Sequence, residues 1–378
     1  MSADDKTTNS HPKSGLFEEA CRQLTICNAC QYCEGYCPVF PSLELRPLLR
    51  KGDIMHLANL CHDCRDCFYA CMYSPPHPFA VNPPRLFSEL RRATYDEIIN
   101  IHSWWVPAWL RDRRGLVFIS LCLVTVVSWI AIADRRLPSP LGGRIGSGSP
   151  YGVIHYSTIL LFGFILCGRS AFIMVLLAMR YWAQIQGSSD SRVSCSSLFK
   201  TLSYSSDLRY LKGGGLGCAY PDEEMSPLRR RLHAATMYGI FALLASTISA
   251  AVMQDLLHLN PPYPVLSIPV LFGIVGGISM IFGCTGMILI KISVDRTPSD
   301  SQMTIRDYKL LIALDLLGIT GFLALILRNH AASGVALLIH FAIVLTAFAI
   351  APYTKFVHFI YRMLSILKDN MDREGCGI

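Results

Sequence analysis

The sequence predicts a mainly α-helical protein in two parts, a cysteine-rich head followed by a bundle of six membrane-crossing helices. Three observations carry that expectation. The 378 residues are 52% hydrophobic and only 16% charged, with a mean hydropathy of +0.38, which is too apolar for an ordinary soluble domain of this length. Eight of the 15 cysteines crowd between positions 27 and 71. Beyond about residue 114 the chain holds six long apolar stretches.

Residues 1–16, opening MSADDKTTNSHPKSG, read as a disordered polar tail. No apolar h-region occurs there, so no cleavable signal peptide is expected. Residues 17–114 form the head. Within it, CNACQYCEGYCP sets Cys27, Cys30, Cys33 and Cys37 at gaps of two, two and three residues, and CHDCRDCFYAC repeats those gaps with Cys61, Cys64, Cys67 and Cys71. Such clustering argues for metal in a reducing compartment rather than for a disulfide framework. A cubane iron–sulfur cluster has four irons that each take one soft thiolate, and a C-x2-C-x2-C run can wrap three corners. In two-cluster ferredoxins the cysteine of the x3 gap reaches across to the other cluster. By that rule Cys27, Cys30, Cys33 and Cys71 hold one [4Fe–4S] cluster, and Cys61, Cys64, Cys67 and Cys37 hold a second. Structural zinc sites usually pair C-x2-C with a distant C-x2-C or histidine pair, which these runs fit poorly. Asp53 in RKGDIMHLANL is placed to cap a helix, and Asn82 stands before Pro83 and Pro84 where another would begin. Little alternation suggests strands, so the head is expected to be an all-helical two-cluster ferredoxin-like domain. It ends at the basic stop Arg111, Arg113 and Arg114.

Residues 115–362 form the membrane domain. Its apolar stretches, at about 115–133, 153–179, 234–257, 265–290, 310–327 and 334–357, mostly reach the ~20 residues needed to cross a ~30 Å hydrocarbon layer. A loop at 181–232 lies on the head's side, and 363–378 forms a C-terminal tail. Lysine and arginine gather on that side, with Arg180, Arg229, Arg230, Arg231, Lys291 and Arg362 among them, while the other side keeps only Arg135, Arg136, Arg144 and Arg328. This asymmetry puts the head and both termini in the cytoplasm and the spans in the inner, cytoplasmic membrane. The net charge of +7 fits basic loops of that kind, and no basic run with interleaved aromatics points to nucleic acid.

Histidines in the membrane half supply further metal ligands. His155, His233, His258, His340 and His358 fall within or at the ends of apolar spans. On the last helix His340 and His358 are 18 residues apart, which is five full turns and ~27 Å along one face. On the third span His233 and His258 lie near opposite membrane faces. His233 with His358 on the inner side, and His258 with His340 on the outer side, would each hold one haem b through two imidazoles. His155, also at an outer helix end, is an alternative partner there. Two charges lie inside spans, Arg169 in the second and Asp315 in the fifth. Buried charge of this kind faces a cavity or a partner, so haem, quinone or an Arg169–Asp315 pair are all open.

What is missing is informative. The glycine cluster KGGGLGCAYP at 212–221 lacks the preceding strand and last glycine of a dinucleotide turn, and no P-loop or Ser/His/Asp layout stands out. Electrons must therefore be exchanged with a separate protein. Together, CNACQYCEGYCP, CHDCRDCFYAC, HPFAVNPPRLFSELR, LRYLKGGGLGCAYP, RRRLHAATMYG, IPVLFGIVGG and PYTKFVHFIYR resemble the tricarballylate (citrate) utilisation protein B family over residues 17–368. The resemblance implies a membrane iron–sulfur and haem b protein that reoxidises the reduced FAD of a partner tricarballylate dehydrogenase and delivers electrons to quinone. It carries the cluster-ligand role to the eight cysteines named above. Met72 departs from the proline that often follows the last cysteine of such motifs. A membrane-anchored iron–sulfur redox sensor and a transporter with regulatory clusters are the rival classes.

Overall fold

The computed structural model describes residues 12–100, 155–186, 193–215, 217–330 and 332–376. In the head, α1 (Pro12–Cys30) carries Cys27 and Cys30 at its C-terminal end. After a turn, α2 (Val39–Glu44) follows Pro38. α3 (Lys51–Leu60) begins where the Asp53 carboxylate accepts the Arg50 backbone N–H at 3.0 Å. Asp53 thus caps the helix from its third position, as in a capping box. The single turn α4 (Asp66–Tyr69) holds Cys67. α5 (Pro83–Asn100) opens on Asn82, whose side chain accepts the Arg85 N–H at 3.2 Å, and its two leading prolines have no N–H to satisfy. No strand occurs among the described residues of the head. The short strands β1 (Cys218–Ala219) and β2 (Met225–Ser226) pair antiparallel further along, with Cys218 opposite Ser226.

After the head come α6 (Tyr156–Gln186), the short α7 (Cys195–Ser206), α8 (Leu228–Asp255), α9 (Ile268–Ile292), α10 (Ser301–Ile326) and α11 (Ser333–Ile350). Among the described residues five helices are long and apolar enough to cross a membrane, namely all of these except α7, the last two counted with the 3-10 turns that follow them. The first expected span, 115–133, lies outside the described residues. Lipid-type surface is abundant on these helices, for example at Phe164, which is 74% exposed.

Glycines set how closely α8 and α9 approach. A Cβ at Gly239 would stand 2.7 Å from the Met280 backbone nitrogen, and one at Gly283 would stand 2.6 Å from the Leu232 carbonyl. Small residues let membrane helices pack backbone to backbone in this way. Gly283→Val is therefore expected to destabilise the bundle by about 1–3 kcal/mol through overpacking, seen as earlier unfolding in detergent, whereas Gly163→Val, where a Cβ meets nothing within 4 Å, should not.

The last apolar stretch is not one helix. α11 stops at Ile350, Pro352 sits in a 3-10 turn (Ala351–Tyr353), a second turn follows (Lys355–Val357), and α12 (His358–Gly375) begins anew. Proline has no N–H and clashes with the carbonyl four residues back, which ends the helix. His340 and His358 consequently sit on different helices, and the five-turn relation between them does not hold. The segment expected as a tail from 363 is α12 through Gly375, with Tyr361, Ser365, Ile366 and Asp369 buried. Ile366 enters the head's core beside Leu57 and Leu90, and Arg46 of the head pairs with Asp372.

A second core joins head and membrane domain. Met55, Tyr95 and Ile98 of the head pack with Leu177 and Tyr181 of α6, Met303 of α10, and Val357 and Tyr361. The Tyr181 hydroxyl lies 2.6 Å from that of Ser365. α6 has 31 residues, about 46 Å at 1.5 Å per residue, so it outreaches a ~30 Å bilayer and its last turns stand among the head's helices. The 181–232 segment is likewise built in: α7 binds α12 through Asn370, which donates to Thr201 Oγ1 at 2.9 Å.

Candidate metal and redox centre

The eight motif cysteines line two neighbouring cavities. Cys27, Cys30, Cys33 and Cys71 border the first, with Tyr32, Met72 and Tyr73. Cys37, Cys61 and Cys64 border the second with His62 and Phe87, and Cys67 borders both. The x3-gap cysteine of each run thus lies in the cavity of the other run. Their settings differ: Cys30 is exposed, whereas Cys61, Cys64 and Cys67 are buried. Beside Cys30 the rim of the first cavity is open, with Tyr32 59% and Met72 62% exposed.

The chain bends sharply between these thiols. Gln31, Asp63 and Arg65 adopt φ of 54°, 57° and 71°, left-handed conformations that side-chain-bearing residues rarely take. One result is that the Asp63 N–H donates to Cys61 Sγ at 3.4 Å. Among the described residues no three His, Cys, Asp or Glu side chains converge on a single ion position. Four thiols spread around each cavity instead suit a cluster that takes one ligand per iron.

Without metal, Cys27, Cys33, Cys37, Cys64, Cys67 and Cys71 hold their protons. Burial pushes Cys27 and Cys33 up to about 12, with Cys71 and the other thiols of the cavity adding to the effect. Burial also raises Cys37, Cys64 and Cys67, again helped by neighbouring thiols. Thiolate ligation must therefore release protons. Cluster reconstitution of the metal-free protein is expected to gain yield as pH rises from about 6.5 to 8.5, followed as the iron–sulfur absorbance recovered per chain. Equal yields across that range would contradict the release.

The glycine cluster 212–221 is a strap on the second cysteine run. The Asp66 carboxylate accepts the Ala219 N–H at 2.7 Å, and a Cβ on Gly213, at φ +55°, would strike that carboxylate. Cys218, Tyr220 and Cys64 share a small buried cluster. Three cations surround the Tyr220 ring: Arg65 at 4.6 Å, Arg229 at 4.9 Å and Lys291 at 5.9 Å. Arg229 also donates to the Asp63 carbonyl. Cationic groups of α8 and α9 thereby meet the strap beside the second cysteine run.

Of the histidines, the structure brings together His233 and His358, whose ring centres are 6.4 Å apart with planes at 81°. Two metal–imidazole bonds of roughly 2 Å, plus about 1 Å from each ring centre to its nitrogen, span about 6 Å, so the pair fits one metal held from both sides. His358 Nδ1 lies 2.7 Å from the Lys355 carbonyl. A carbonyl only accepts, so Nδ1 carries the proton and Nε2 is left to ligate. Burial, with Arg362 and Lys355 nearby, depresses His358 to about 3, which keeps it neutral at physiological pH, the ligating form. His340 sits apart on α11, its Nδ1 3.1 Å from Thr320 Oγ1 and its ring against Gly321. His258 is exposed beyond α8 with φ 53°, and no ring contact joins it to His340 among the described residues. His155 is exposed at the start of α6. Arg169 donates to the Ala349 carbonyl at 3.2 Å and to the Tyr353 hydroxyl at 2.9 Å. Asp315 instead accepts from Thr285 at 3.1 Å, so the two intramembrane charges take separate partners.

Comparison with known proteins adds the family. The family model described as citrate utilization protein B matches residues 116–377, and that of the citrate utilization protein B Fer4-like domain matches residues 20–97. The chain belongs to the citrate utilization protein B family. It is 33% identical over 353 residues to citrate utilization protein B of Escherichia coli, covering 92% of this chain and 90% of that protein. No solved structure matches it. In this member of the citrate utilization protein B family, the Fer4-like match spans all eight motif cysteines, and the second match spans the imidazole pair. Sequence reasoning overlooked His62, Arg229, Arg362 and Tyr220. The spacing signal was present, since Arg229 precedes His233 by one helical turn and Arg362 follows His358 by one.

Proposed function

We propose that this protein takes electrons from a reduced FAD-dependent dehydrogenase, of the tricarballylate dehydrogenase type, and delivers them to the quinone pool. The residues fit two [4Fe–4S] clusters, at Cys27, Cys30, Cys33 and Cys71 and at Cys61, Cys64, Cys67 and Cys37, and a haem b at His233 and His358. Those groups supply one-electron carriers. The observation that carries the reading is their order. A cavity with an exposed thiol, Cys30, adjoins a buried one through the shared Cys67, and Cys61 of the buried one shares a core with Ile366 of α12, the helix that begins at His358. Entry is at the open rim of Tyr32 and Met72, where a partner's flavin can approach. The ends of α6, α8, α9 and α10 that face the head carry Arg180, Arg229, Lys291 and Arg306, which supports a cytoplasmic head in the inner membrane.

A dithionite-reduced minus oxidised spectrum of the purified protein in detergent, with haem quantified per chain, tests the reading. Sharp b-type bands beside iron–sulfur signals are expected. Iron–sulfur signals without b-type bands would remove the imidazole pair from the path.

A further inference from the structure

Each paired histidine has an arginine four residues away on its own helix: Arg229 before His233 on α8, and Arg362 after His358 on α12. Four residues are about one turn, so each arginine shares its histidine's face. α8 begins beside the head, where Arg229 bonds Asp63, and α12 runs into the head, where Ile366 is buried. Both arginines are therefore displaced from the imidazoles in the same direction, toward the second thiol cavity.

Their partners differ. Arg229 is engaged by the Asp63 carbonyl, by the Asp63 carboxylate at 4.0 Å and by the Tyr220 ring. Arg362 has a buried Nε without a hydrogen-bond partner. Two further cations, Arg91 and Arg229, lie near enough to act on its charge, as do Tyr95 and the Cys61 thiol. Arg91 is itself used, donating to the carbonyls of Ala58 and Cys61 at 2.8 and 3.1 Å. Arg362 is half-buried, and a buried guanidinium N–H left without an acceptor is costly, so this place favours an anion. Arg362 stands on α12 between His358, whose ring meets His233, and Ile366, which is buried in the core that includes Cys61, and this puts it at the junction between the second cavity and the imidazole pair.

We propose that Arg362 binds a carboxylate arm of the tetrapyrrole held by His233 and His358, on its edge nearest the second cluster. The inference rests on the haem reading above. Haem b carries two carboxylates, and guanidinium matches a carboxylate through two parallel hydrogen bonds. Such a pair would neutralise both charges and hold the ring's carboxylate arm at Arg362. Arg362 is thus a positioning residue that sets the distance to the cluster and the potential of the iron.

The test is an equilibrium redox titration of the full-length protein in detergent, with haem followed optically and the clusters by electron paramagnetic resonance, for wild type, Arg362→Gln and Arg362→Lys. In Arg362→Gln the haem midpoint should fall by at least a tenfold change in the equilibrium constant, about 59 mV for one electron, with cluster signals kept and with Arg362→Lys closer to wild type. Loss of haem from Arg362→Gln with cluster signals intact would equally support the carboxylate contact. An unchanged haem midpoint, with only the cluster midpoint moved, would assign Arg362 to the cluster and overturn the inference while the haem reading stands. Wild type without b-type bands would overturn both.

Discussion

Cys37→Ser is expected to remove the second cluster and spare the first, and Cys71→Ser to do the reverse. The expectation follows from the crossed lining of the two cavities, in which Cys37 borders the Cys61 and Cys64 cavity and Cys71 borders that of Cys27, Cys30 and Cys33. Each variant should fall from roughly eight irons per chain to roughly four, with one of two electron paramagnetic resonance signals lost. The effects are unequal in their wider consequences. The second cavity is walled by buried Cys61, Cys64 and Cys67, part of the core that receives α12, so its loss should also lower the unfolding temperature. The first cavity is at the surface, and its loss should leave folding nearly intact. Were each variant to lose the cluster of its own run, the crossing would be wrong.

His358→Ala is expected to reduce haem per chain at least tenfold, and His258→Ala to leave it unchanged. His358 is held neutral by burial and oriented by the Lys355 carbonyl, facing His233 at 6.4 Å, whereas His258 is exposed outside the helices. The alanine leaves a space of imidazole shape, so added imidazole should restore part of the b-type absorbance. Haem retained in His358→Ala but lost in His340→Ala would move the ligand pair to α11.

The gathering of the eight cysteines was legible, because their motif spacing is local, and the structure sets them around two adjoining cavities. The spans were legible for the same reason, since bilayer thickness fixes their length; the five described candidate spans fall where five of the apolar stretches do. The break at Pro352 was legible in principle, yet the run AIAPYTKFV stays apolar across it and hides the turn. α12 was misread as a tail because its buried polar residues, such as Asp369 and Asn370, mimic a solvated sequence until the head supplies their partners. The inner pairing of His233 with His358 was drawn from membrane depth alone, and the structure places those two rings together. The role of KGGGLGCAYP was out of reach, since its glycines answer to Asp66, about 150 residues earlier in the chain, rather than to any local motif.

The most direct test of the central claim is coupled quinone reduction. The full-length protein in lipid nanodiscs would be supplied with photoreduced flavin as donor and a short-chain quinone as acceptor, and compared with Cys30→Ala, which alters the exposed thiol at the point of entry. Quinol formation by the wild type and its loss in Cys30→Ala is the expected result. A full rate in Cys30→Ala would show that electrons do not enter through the first thiol cavity, and the proposed path would fail.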